Sequence, residues 1–442
     1  SMFSNESLKK LIIPIFMDQI LIIIASIIAT MMISYAGEAA VSAVSLIDMI
    51  NMLLINVLAA LTAGGAVIVS QYIGSKDKDK ACNAASQLFT IATIISIGIM
   101  GFVFTFHKPL LKILFGNVDH NVMNLAITYF VIYSISYPFL SIYDSGAALF
   151  RAIGNSRVPM IVSIAMNAIN IVGNAIGIFV FNAGVVGIAI SIIISRAFAA
   201  LVMVYLSLNK KNKVFISFSE IFTIKRDMII KILNIAIPNG IENGIVQLGR
   251  ILLISIIALF GTNQIAANGI TNSLVMISIS FATAMNIAIV SVIGQCVGAG
   301  DYAQADFYTK KLLKITYIGT IVISLAEILL LPWILNLYTL SAEVTNLTYI
   351  LVIIHNCLAI IFWPLSFTLP NSLRASGDVR FTMIVSISSM FILRISFGYI
   401  LGIIFNLGVI GVWLAMGADW ALRSIIYVLR FKNGKWREFK VI

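Results

Sequence analysis

The stretch Leu149-Phe150-Arg151-Ala152-Ile153-Gly154-Asn155 returns late in the chain as Ser372-Leu373-Arg374-Ala375-Ser376-Gly377-Asp378. Just beyond it, Met160-Ile161-Val162-Ser163-Ile164 returns as Met383-Ile384-Val385-Ser386-Ile387, and Gly184-Val185-Val186-Gly187 as Gly408-Val409-Ile410-Gly411. Upstream, Pro14 corresponds to Pro238, Gly37 to Gly261, Gln71 to Gln295 and Gly74 to Gly298, all at an offset of about 224 residues. The chain is therefore a tandem duplication, and whatever fold one half adopts the other must adopt as well.

That fold is set by hydropathy. Of 442 residues, 60% are hydrophobic and only 11% charged, and the mean hydropathy of +1.04 lies far outside the range of soluble domains. Apolar runs bounded by charged or Gly/Pro/Asn-rich breaks predict spans at 11–35, 45–72, 86–107, 122–150, 158–181 and 184–208, then at 228–260, 268–297, 312–338, 344–372, 381–405 and 408–430. The expectation is an all-α membrane protein of twelve transmembrane helices, arranged as two six-helix bundles. An even number of spans per half makes both halves enter from the same side, so their pseudo-two-fold axis is expected along the membrane normal, with substrate bound between them. The lobes are expected at 1–208 and 228–442, with a basic linker at 209–227 lying on anionic headgroups.

The net charge of +11 reads as topology rather than as nucleic-acid binding, because the basic residues sit between apolar runs. Lys9 and Lys10, Lys76/Lys78/Lys80, Arg151 and Arg157, the linker, Lys310/Lys311/Lys314, Arg374 and Arg380, and the tail alternate with loops that hold only Lys108 and Lys112. Both termini are thereby expected in the cytoplasm, with Lys9-Lys10 leading into a retained first helix and Ser1-Met2 read as a cloning remnant. Cys82, Cys296 and Cys357 form no CxxC, and His107, His120 and His355 form no ligand-like spacing. No phosphate-cradling GxxxxGK[ST] motif occurs, so any transport is expected to run on an ion gradient, with no cofactor beyond H⁺ or Na⁺. An intramembrane enzyme would need a paired-Asp, Ser/His or HExxH constellation, and none is present.

Ionisable side chains inside spans are costly, which makes them the candidate working groups. They are Asp18, Asp48, Asp144, Arg196, Glu242, Arg250, Glu327, Arg394, Asp419 and Arg423. Glu242 and Asn243 lie in the polar cluster Pro238-Asn239-Gly240-Ile241-Glu242-Asn243-Gly244, where a carboxylate can exchange a proton, or pair with Arg250 two turns along. Asp18 stands four residues after Pro14 as Glu242 does after Pro238. Asp48, with Asn51 and Asn56, either lines the same cavity or faces headgroups. Asp419 and Arg423 are spaced for a local ion pair; Glu327 and Arg394 either meet each other or a neighbouring helix. Asn170 and Asn174, one turn apart, with Ser191 on the next helix, either ligate Na⁺ or act as interhelical glue. Gly173-x-x-x-Gly177 and Gly398-x-x-x-Gly402 predict close helix packing.

The chain resembles the multidrug and toxic compound extrusion (MATE) family over essentially its whole length. The segments that carry the resemblance are Gly37-Glu38-Ala39-Ala40-Val41-Ser42-Ala43-Val44-Ser45-Leu46, Gln71-Tyr72-Ile73-Gly74, Leu149–Asn155, Gly294-Gln295-Cys296-Val297-Gly298-Ala299-Gly300-Asp301 and Leu373–Asp378. The resemblance implies a V-shaped pair of bundles in a bacterial inner membrane, exporting cationic or amphipathic compounds by alternating access against H⁺ or Na⁺. Members of the family often carry an Asp near the end of the first helix, and this chain has Ala29-Thr30 there. Either coupling leans on Glu242 instead, or an Asp has been replaced to hold one state. The retained Thr30, Asn170 and Asn174 favour replacement, with Asn174 standing where some members have Asp. A lipid-linked precursor flippase of the same superfamily, which would show a strongly basic cavity, is the alternative function, disfavoured by twelve spans and few cavity cations. The expected partners are a small-molecule substrate and the bilayer, with no nucleic acid, and the chain is expected to act as a monomer.

Overall fold

Hydrocarbon offers no partner for a backbone N–H or C=O, so a chain this apolar satisfies its backbone within helices. The computed structural model describes residues 2–442, and no strand occurs among the described residues. The spans are α1 (Asn5–Ala36), α2 (Glu38–Gly74), α3 (Lys78–Phe115), α4 (His120–Ser134 bent by 41° into Ser136–Ala152), α5 (Arg157–Val180) and α6 (Val185–Ser207). The second set is α7 (Arg226–Phe260), α8 (Thr262–Ser278 running on as Ser280–Gly298), α9 (Tyr302–Asn336), α10 (Ala342–Ser376), α11 (Val379–Ile404) and α12 (Val409–Asn433). Eleven helices are long and apolar enough to cross a membrane, and twelve spans result when the bent α4 is taken as one.

The duplication predicted from sequence is visible in the backbone itself. Left-handed residues recur at the repeat offset: Gly37 (φ 104°) with Gly261 (φ 99°), Gly184 (φ 59°) with Gly408 (φ 64°), and Asn182 (φ 48°) with Asn406 (φ 57°). Lys76 (φ 61°) answers Gly300 (φ 72°), so the first half tolerates at one turn the strained geometry that Gly relieves in the second. Asp77 caps α3 through the N–H of Lys80, and Asp301 caps α9 through that of Gln304. A wide π-turn ends α5 at Ile176–Val180 and α11 at Ile400–Ile404.

The chain divides into two units, an N-terminal one of Ser4–Gly240 and a C-terminal one formed by Ile241–Ile442 with Met2 and Phe3. The division falls within α7. In the first unit, α4 and α5 each pack on α6, and α1 packs on α5. Gly177 faces Gly187 so closely that a Cβ on it would lie 2.8 Å from the opposing Cα, which is the packing expected of the first glycine pair. In the second unit a Cβ on Gly411 would lie 2.6 Å from the Leu401 carbonyl carbon, one residue from Gly402 of the second pair.

Candidate functional site

Pro14 has no N–H, so the carbonyl of Lys10 four residues back loses its helical donor. The Ser156 hydroxyl from the α4–α5 turn donates to Lys10 O at 3.0 Å, and also to Leu11 O. This ties α1 to that turn and brings Asp18, 2% exposed, to 3.7 Å from Arg151. The corresponding place in the C-terminal unit holds Glu242 against Arg374, which also donates to Asn371 Oδ1 at 2.8 Å. The two carboxylates and the two arginines each lie one repeat apart, so the duplicated chain builds the same buried acid–arginine pair twice. The sequence reading offered Arg250 as the partner of Glu242. Arg374, near the C-terminal end of α10, takes that place, while the Arg250 guanidinium donates to Gln247 Oε1 at 3.4 Å.

In the N-terminal unit, Asp48 accepts from Tyr129 at 3.4 Å and Asn51 accepts from Tyr137. Arg196 donates to Tyr133 Oη at 2.9 Å and Ser136 Oγ at 2.8 Å, its guanidinium 4.9 Å from the Tyr133 ring centroid. A stripe of tyrosines, 129, 133 and 137, thus joins α2 to α6 through α4. Their spacing of one helical turn, Tyr129, Tyr133 and Tyr137, is the sequence signal for this stripe.

Of the Asn170, Asn174 and Ser191 group, the contacts join Ser191 to Asn170. Ser191 donates to both the carbonyl and Oδ1 of Asn170, at 2.8 and 3.0 Å. Asn174 is 1% exposed and thus presents one buried amide oxygen, Oδ1, without a hydrogen-bond donor. Ala29 lies half-buried on α1, which packs against α5, and Thr30 bonds back to Ser26.

In the C-terminal unit, Asp419 pairs with Arg423 at 3.3 Å as its spacing predicted, and accepts the Ser389 hydroxyl. Arg423 continues to Ser386 at 3.0 Å and Ser386 to Tyr427 at 2.9 Å. Glu327 meets Asn356 on α10 at 3.0 Å rather than Arg394, and Asn356 in turn contacts His355. Asn243 is half-buried beside Glu242. Asp378 receives both arms of Arg430, at 2.8 and 3.0 Å, a closing clamp that sequence reasoning missed because its two partners are far apart in the chain. Among the described residues no group of three or more His, Cys, Asp or Glu could hold a metal ion.

The family profile for MatE matches residues 14–176 and again 238–400. The chain is 26% identical to the uncharacterized transporter YisQ of Bacillus subtilis, over 97% of this chain and 94% of that one. It is 25% identical to the probable multidrug resistance protein NorM of Thermotoga maritima, over 99% and 94%. Among solved structures it is similar, with a TM-score of 0.88 at 20% identity, to an outward-facing conformation of a multidrug resistance MATE family transporter of the MOP superfamily, over 98% and 96% of the two chains.

Proposed function

Since this chain belongs to the MATE family of membrane transporters, we propose that it is a secondary active exporter that exchanges H⁺ or Na⁺ for small cationic or amphipathic organic compounds by alternating access. The observation that carries the reading is the family match in both halves at the repeat spacing, in a multi-pass chain whose spans each retain buried polar groups. Relatives named as probable multidrug resistance proteins support the substrate class, and their bacterial sources support a bacterial cytoplasmic membrane. The alternation of loops rich and poor in Lys and Arg supports cytoplasmic termini.

Within this reading, Asn170, Asn174 and Ser191 form the cation-binding group, with Ala29 on the adjoining helix where a carboxylate would complete it. The unpartnered Asn174 Oδ1 supports this assignment. Glu242, with Asn243 and Arg250 on the same helix, is the second coupling element, and Asp18 and Asp48 are the buried carboxylates of the first half. A carboxylate held by an arginine can be released when the pair is hydrated or protonated, which is what alternating exposure requires.

The test is efflux of a fluorescent cation from proteoliposomes under an imposed H⁺ or Na⁺ gradient, measured side by side. Export should accelerate with one gradient and collapse when it is dissipated. A rate indifferent to both would refute the coupled mechanism.

A further inference from the structure

Three guanidinium groups gather at one depth of the C-terminal unit. Arg250 stands ten residues before Phe260 on α7, Arg394 ten before Ile404 on α11, and Asp419, which holds Arg423, ten after Val409 on α12. These helix ends lie together, since a Cβ on Gly402 would come within 2.8 Å of the Phe260 ring and Gln264 Oε1 accepts from Val409 N at 2.8 Å. At a rise of about 1.5 Å per residue, the cluster sits about 15 Å in from that end, well inside the hydrocarbon layer. The helices touch at this level: a Cβ on Gly249 would meet Met390 Cγ at 2.6 Å and Ile395 Cδ1 at 3.5 Å.

The charges there do not balance. Asp419 is the one carboxylate that acts electrostatically on all three arginines; Glu242 reaches Arg423 alone and is already held by Arg374. Three cations against one shared anion leave a surplus of two positive charges at a depth where an unpaired guanidinium costs several kcal/mol. Two N–H donors in the same layer, Arg394 Nε and Trp420 Nε1, are buried with no acceptor. The free acceptor nearby, Asp419 Oδ2, belongs to the carboxylate already spent on Arg423. Arg394 further lies in a π-helical turn, Met390–Ile395, a widening of the helix that recurs at functional positions. Arg250 keeps an exposed surface on the C-terminal unit, which leaves room for a ligand beside it.

We propose that Arg250, Arg394 and Arg423, with the Trp420 N–H, bind the acidic group (a carboxylate, sulfonate or phosphate) of an amphipathic compound that the protein carries. The planar guanidinium fork suits such oxyanions, and the missing counter-charge is what the ligand supplies. This rests on the exporter reading above and picks out, among its amphipathic substrates, those that carry an acidic group.

The test uses two xanthene dyes of similar size and opposite charge, anionic fluorescein and cationic rhodamine 6G. Equilibrium binding to the purified full chain is read by fluorescence anisotropy, beside export from proteoliposomes. Fluorescein should bind the unaltered protein, its Kd should rise at least about tenfold in Arg250→Gln and in Arg394→Gln, and Arg394→Lys should fall between. Inorganic phosphate should displace fluorescein only at far higher concentration. Phosphate binding as tightly as the dye would assign the site to a free inorganic anion and overturn the substrate assignment. Failure of the unaltered protein to bind fluorescein, or equal affinity in the Gln variants, would overturn the site even if rhodamine 6G export persists. Fluorescein binding without gradient-driven export of either dye would instead overturn the exporter reading and leave the anion site standing.

Discussion

Glu242→Gln removes one charge from a pair whose side chains are only 7% and 14% exposed. Glutamine keeps the volume and one acceptor, yet leaves the Arg374 guanidinium without a counter-charge. Breaking a buried pair in this way costs about 3–5 kcal/mol. The slight exposure of Arg374 and its retained bond to Asn371 place the loss at the lower end, roughly 3 kcal/mol. Arg374→Gln should cost a similar amount, and the double variant, which buries two neutral amides, should recover most of it. A double-mutant cycle is therefore expected to yield a coupling energy of about 2 kcal/mol or more. The repeat-related pair gives an internal control: Asp18 and Arg151 are as buried but stand 3.7 Å apart, beyond hydrogen-bond distance, so their cycle should give a smaller coupling than Glu242–Arg374. Reversible unfolding by SDS titration in mixed micelles, followed by tryptophan fluorescence, measures both cycles. A coupling below about 0.5 kcal/mol at Glu242–Arg374, or a larger one at Asp18–Arg151, would refute the reasoning.

Coupled transport should fall further in Glu242→Gln than in Asp419→Asn, because Asp419 and Arg423 also lean on Ser389 and Ser386; equal losses in the efflux assay contradict the role given to Glu242. Ala29→Asp should raise ion-dependent turnover, and an unchanged rate would remove position 29 from the cation group. Asn174→Ala should weaken the ion's half-saturation about tenfold if its free oxygen is a ligand, and a half-saturation within twofold of the unaltered protein speaks for interhelical glue. Gly177→Val places a side chain against the backbone of Gly187, so the purified protein should lose several degrees of thermal stability by at least about 1–3 kcal/mol of overpacking.

The helix plan was legible in the sequence because its determinants are local or repeated. Apolar run length, the positions of Pro14, Gly37 and Gly184, and their echoes at Pro238, Gly261 and Gly408 act within a turn or two of the chain, and duplication doubled the signal. The i, i+4 pair Asp419–Arg423 was legible for the same reason. Partner choice across helices was not. Glu242 with Arg374, Glu327 with Asn356, and Arg430 with Asp378 join residues dozens of positions apart, and hydropathy carries no information about which faces of two apolar helices meet. In the sequence Arg250 reads as a partner for Glu242, Arg423 as the partner of Asp419, and Arg394 as a charge that meets Glu327 or a neighbouring helix. Only packing, which brings α7, α11 and α12 together at one depth, sets three arginines against the single carboxylate of Asp419, because Coulomb energies depend on distance in space and are blind to distance along the chain.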